Sequence, residues 1–127
     1  MEGQYVETGI VEVSAGQPSE DAVVLRVAGE IDVLTAPTLA AAIERQVADR
    51  AEHDTRPLVL DLTEVTFLAS AGLAVLANAK VLAAQRDIEV GVVATARVVL
   101  RPLTLTGLDQ ALHVAPDVAG AIAIVRG

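Results

Sequence analysis

DLTEVTFLASAGLAVLANA, residues 61–79, decides the fold. It continues PLVLDL, 57–62, a nearly unbroken apolar run of the kind a buried central strand carries. A small Ser70-Ala71-Gly72 turn follows, and an apolar helical pattern begins at once. The helix is expected from about residue 71 through Leu73, Leu76, Ala77, Lys80 and Ala84 towards Arg86, with Asp87 ending it. A buried strand that passes directly into a helix is half of a parallel crossover unit.

The flanks repeat that unit. TGIVEVS, 8–14, alternates like a half-exposed strand, AGQPSED, 15–21, is a hairpin loop, and AVVLRVAG, 22–29, is a second strand. Gly29-Glu30-Ile31-Asp32 breaks the strand pattern. Thr35 can cap a helix whose first turn accepts Pro37. Leu39, Ala42, Ile43 and Val47 share one face of that helix, with Glu44, Arg45 and Arg50 elsewhere. AEHDTR, 51–56, is a polar loop. IEVGVVA, 88–94, is a strand, and 96–107 is a short helix containing Pro102 and ended by Gly107. ALHVA is a short last strand, and a helix starts at Pro116-Asp117. The order β-β-α-β-α-β-α-β-α predicts an α/β fold: one domain over 1–127, core about 8–125, with a mixed sheet of about five strands and about four helices.

Composition narrows the function classes. Of 127 residues, 53% are apolar but only 2% aromatic, so Val, Leu, Ile and Ala must build the core. The formal net charge of −8 repels phosphate backbones, and stacking platforms for single strands are missing, so nucleic-acid binding is not expected. No cysteine is present, which excludes disulfides, thiol nucleophiles and cysteine-held metals. No apolar run reaches the ~20 residues that span a bilayer. The N-terminus has neither the basic start nor the apolar centre of a signal peptide. A soluble cytoplasmic protein is expected.

Catalytic groups do not converge in the sequence. His53 lies in a charged loop and His113 in a short strand, without metal-ligand spacing between them. Ser70 has no G-x-S-x-G frame, and the usual phosphate-cradling loops are absent. Asp61 and Glu64 read as solvated loop or turn groups. Asp32, beside Glu30, reads as a turn-shaping residue or as a functional acid at a strand end. Ser70 reads first as an N-cap whose hydroxyl accepts a first-turn N–H. Its second reading is functional: a phosphate there would be stabilised by the helix mouth and would repel a closely fitting partner. An enzyme is not expected, nor any cofactor or metal.

Three segments in order, VVLRVAGEIDVLTAPTL, PLVLDLTEVTFLASAGLAVLANA and ARVVLRPLTLTGLDQALHVAPD, resemble the STAS domain family, and within it the bacterial anti-anti-sigma factors, or anti-sigma factor antagonists. The resemblance covers roughly residues 8 to 125. It implies a small α/β fold without catalysis that binds an anti-sigma factor of the GHKL kinase type and so frees a sigma factor. It matches Asp32 to the family's acidic residue beside the switch, and Gly72-Leu73 to the Gly-Leu after the switch hydroxyl. Switch-bearing members usually read Asp-Ser-Ser-Gly-Leu or Asp-Ser-Thr-Gly-Leu, with phosphate on the residue before Gly. Here that residue is Ala71, and Ala69 replaces the acid. Loss of the usual switch is expected in preference to Ser70 as a displaced phosphorylation site. The partner surface expected is one exposed patch of Asp32, Thr35, Ser70, Ala71 and Gly72, with Leu73 beside it. The competing reading is a cytoplasmic STAS subunit of an ABC-type transport assembly, which needs no acceptor serine.

Overall fold

The computed structural model of the chain describes residues 10–16 and 19–126. Its elements are β1 (Val11–Ala15), β2 (Val23–Ile31), α1 (Ala36–Ala48), β3 (Leu58–Leu68), α2 (Ser70–Ala84), β4 (Val90–Val93), α3 (Arg97–Leu105), α4 (Leu108–Ala111), β5 (Val114–Ala115) and α5 (Val118–Arg126). The five strands form one sheet in the order β1-β2-β3-β4-β5. Only β1 runs antiparallel to its neighbour, and the pairings from β2 to β5 are parallel. The mixed α/β sheet expected from the sequence is therefore present. Five helices stand where about four were expected, because a one-turn α4 follows Gly107, whose φ of +78° lets the chain reverse.

One face of the sheet carries the larger core. Leu25, Val27 and Ile31 of β2, Leu58, Leu60, Leu62, Val65 and Leu68 of β3, and Val90 and Val92 of β4 pack there against Leu39 and Ile43 of α1, Leu76 and Ala79 of α2, and Val99 and Leu103 of α3. On α2 the buried positions are Gly72, Leu76, Ala79 and Ala83, with Leu73 and Val75 packed against the core beside them. On the other face a smaller cluster joins Val59, Val93, Ala115 and Ala121 under α5.

Several expectations are corrected. The strand expected over 8–14 is seen as Val11–Ala15, and positions 8 and 9 lie outside the described residues. Gly29-Glu30-Ile31 does not break β2, which continues to Ile31 by bending at Gly29, where φ is +105°. β3 does not stop at Leu62 but runs to Leu68, so Asp61 and Glu64 are strand residues. Arg50, expected on a polar face, is buried. Its Nη1 donates to the carbonyls of Asp54 (3.3 Å) and Arg56 (2.8 Å). Arg86 donates to the carbonyls of Val47 (3.0 Å) and Arg50 (3.1 Å), tying the ends of α1 and α2 together.

Candidate functional site

The parallel pairing of β2 with β3 brings their C-terminal ends together. Ile31 pairs with Leu68, and the Ala69 N–H donates to the Ile31 carbonyl at 2.8 Å. The turn after β2 and the mouth of α2 therefore start from adjacent backbone positions. Asp32 and Ser70 lie at the same end of the sheet, as expected.

The turn 32–35 is held by its own side chains. Asp32 Oδ1 accepts the N–H groups of Leu34 (2.9 Å) and Thr35 (3.0 Å). Thr35 Oγ1 accepts the Asp32 N–H (2.9 Å) and donates to the Glu30 carbonyl (2.7 Å). The Asp32 carbonyl accepts the Ala36 N–H (2.8 Å), which starts α1. Thr35 is the N-cap position of α1 but not by the bond expected: its hydroxyl reaches back into the turn and makes no cap hydrogen bond to the helix. The Asp32 carboxylate is occupied by backbone donors, so it shapes the turn.

At the mouth of α2 the cap residue is Ala69, with φ −90° and ψ 173°, and Ser70 is the first helical residue. The N-cap role expected for Ser70 is thereby corrected. Its hydroxyl makes no hydrogen bond among the described residues, and the side chain is exposed. Ala71 is half-buried and Leu73 packs against the core. Gly72 is buried. A Cβ there would lie 2.5 Å from Ile31 Cγ2 and 2.7 Å from Leu68 Cδ1, so glycine is what lets α2 sit against the ends of β2 and β3.

The expected patch is thus only partly on the surface. Ser70 is exposed, Asp32 and Ala71 are half-exposed, and Thr35 and Gly72 lie beneath them as supports. The sequence reading missed Val33 and Leu34, exposed to 73% and 78%. Their signal is two large apolar residues inside a D-x-x-T turn, where polar residues are the rule. Phe67, the chain's single phenylalanine, is also exposed at this end of β3.

The remaining candidates lie apart. His53 stands in the loop before β3 and Ser70 just after it, so the eleven residues of that strand, at about 3.3 Å each, separate them. His113 Nε2 is 3.4 Å from Glu89 Oε1, near the starts of β4 and β5. Asp61 accepts the N–H and hydroxyl of Thr63, and Arg26 reaches Glu64 at 3.7 Å on the exposed face. No helix among the described residues is long and apolar enough to cross a membrane.

A five-stranded mixed sheet with three helix-bearing crossovers and a shaped turn beside a small-residue helix mouth defines a small α/β domain. The chain belongs to the STAS domain family, whose model matches residues 16–121. It is 40% identical over 104 residues to the anti-sigma-F factor antagonist RsfB of Mycobacterium tuberculosis, covering 82% of this chain and 81% of that protein. It is also similar to the crystal structure of an anti-sigma factor antagonist from Mycobacterium paratuberculosis, with TM-score 0.82 and 34% identity over 97% of this chain and all of that one. Unphosphorylated SpoIIAA shares the fold at TM-score 0.72 and 19% identity, over 91% of this chain and 97% of that one.

Proposed function

We propose that this chain is an anti-sigma factor antagonist: it binds an anti-sigma factor and frees the sigma factor held by it. The observation that carries this reading is the 40% identity to RsfB over 82% of the chain, which spans both the turn after β2 and the mouth of α2. The partner proposed is a GHKL-type kinase, met in the cytoplasm by the whole chain acting as one domain. Nothing in the site or in the relatives favours the transport-assembly reading. The activity proposed is binding, not catalysis, because Ser70 stands at the opposite end of the sheet from His53 and His113.

The contact surface proposed is the C-terminal edge of β2 and β3: Asp32, Ser70 and Ala71 on the surface, with Thr35, Gly72 and Leu73 holding them. The usual phosphate switch is inactive in this reading. Ser70 has an exposed hydroxyl with no hydrogen bond among the described residues, so hydrogen bonding does not protect it there. What separates it from the usual acceptor is direction, because one residue along a helix turns the side chain by about 100°. A kinase aligned on position 71 meets the Ala71 methyl there and not the Ser70 hydroxyl.

The test uses each GHKL-type anti-sigma factor of the native organism, purified singly, with titration calorimetry and intact-mass spectrometry after incubation with ATP. One of them is expected to bind the wild-type chain and leave its mass unchanged, while Ala71→Ser gains one phosphate. Binding by none of them would overturn the antagonist reading. Stoichiometric phosphate on Ser70 of the wild type would overturn loss of the switch.

A further inference from the structure

Val33 and Leu34 are large apolar side chains held in water by a turn that cannot turn them inward. Four hydrogen bonds lock it, two onto Asp32 Oδ1 and two through Thr35 Oγ1, and Thr35 itself is buried. A loop that merely tolerated two exposed apolar residues would have no use for such rigidity. A rigid apolar projection loses little conformational freedom when it is covered, which is the property of an interface anchor. Its place in the fold sets it beside the contact surface proposed above. The Ile31 carbonyl, one residue before the turn, accepts the Ala69 N–H, one residue before Ser70, so the projection abuts the mouth of α2.

We infer that Val33 and Leu34 anchor this protein on its anti-sigma factor by entering an apolar pocket of that partner, and that Asp32, within the same contact surface, is a positioning residue whose carboxylate holds the turn. This rests on the antagonist reading and refines it. Recognition at this edge is apolar and pre-organised, and the acidic residue acts through geometry and not through charge.

The roles separate cleanly in four variants, because asparagine keeps the Oδ1 acceptor of Asp32 while removing its charge and alanine removes both. The test measures Kd for the anti-sigma factor that binds the wild type, together with each variant's thermal midpoint. Leu34→Ala is expected to weaken binding about tenfold or more, with a thermal midpoint close to wild type because the side chain is 78% exposed. Val33→Ala gives a smaller loss in the same direction. Asp32→Asn loses clearly less affinity than Asp32→Ala, which falls to the level of Leu34→Ala. Wild-type affinity in Leu34→Ala overturns the anchor while leaving the antagonist reading intact. Equal losses in Asp32→Asn and Asp32→Ala overturn the positioning role. A Leu34→Ala variant that loses self-association in sedimentation equilibrium but keeps the complex assigns the turn to a second copy of this chain, and also overturns the anchor. Wild type that binds no anti-sigma factor overturns the antagonist reading itself.

Discussion

Replacing Gly72 with alanine places one methyl group between two strand ends and a helix. The new Cβ would stand 2.5 Å from Ile31 Cγ2, 2.7 Å from Leu68 Cδ1 and 3.3 Å from Ile31 Cβ. Leu68 Cδ1 ends a flexible side chain and can rotate away. Ile31 is branched at Cβ and fully buried, so its methyl can move only by a costly χ1 rotation inside the packed core or a shift of the backbone. Overpacking of this kind costs about 1–3 kcal/mol. Against it, alanine gains up to about 1 kcal/mol over glycine in a helix, less in the first turn where Gly72 sits. The balance is a loss of about 1 kcal/mol, which for a chain of this size lowers the thermal midpoint by about 4 °C. Calorimetry of the purified variant reads it directly. In an Ile31→Ala background the obstructing methyl is gone, and Gly72→Ala should then be neutral or stabilising, a coupling that a double-mutant cycle measures. A variant as stable as wild type, or the same loss in both backgrounds, would refute the argument that Gly72 is required by contact with Ile31.

Two further outcomes follow from other parts of the molecule. Gly29→Ala combines a φ of +105° with a Cβ driven against the Ile10 carbonyl, and it should lower stability by about 2 kcal/mol or more in urea unfolding, through strain at the β1–β2 pairing. Asp54 is held well below the usual carboxylate range, chiefly by the side-chain hydrogen bond from Arg56, whose Nε and Nη2 lie 2.9 and 2.8 Å from its two oxygens. Because the folded pKa is depressed, this contribution is complete above the unfolded value near 3.9 and declines as pH falls below it. The gap in urea midpoint between wild type and Asp54→Asn should therefore narrow from about pH 4 downward, and a gap that stays constant to pH 2.5 contradicts it.

Where the sequence falls short, the reasons are local. β3 was readable as far as Leu62 because its first half is buried on both faces and shows as an apolar run. Its second half was hidden by two register shifts against β2. Ala28 pairs with Glu64 although Arg26 pairs with Asp61, and Glu30 pairs with Phe67 although Gly29 pairs with Val65. Each shift adds a residue to β3, so its buried residues fall at Leu62, Val65 and Leu68, a spacing of three that resembles no strand. Ser70 stands one position inside the cap expected for it, because a serine at the first helical residue and one at the cap look alike in sequence. Thr35 marks the start of α1 as expected but bonds elsewhere, since its partners are set by the turn behind it. Arg50 reads as the polar end of a helix, and only the returning chain at Asp54 and Arg56 supplies the carbonyls that bury it. The juxtaposition of Asp32 with Ser70 was legible, because both follow parallel strands. The exposure of Val33 and Leu34 was not, because apolar residues in a short linker look like core until the turn's hydrogen bonds are seen.

Neighbours in this sheet are also neighbours in sequence, β1-β2-β3-β4-β5, without reversal. Right-handed crossovers then send α1, α2 and α3 to the same side. In doubly wound sheets the order reverses, adjacent crossovers part to opposite sides, and the gap between them becomes a crevice for small ligands. This topology opens no such gap. Its C-terminal edge is a continuous rim of short turns and helix mouths, which can be read by another protein's surface more readily than by a metabolite. Partner choice on such a rim can change through the two or three side chains at a turn tip, with the supports beneath them left as they are.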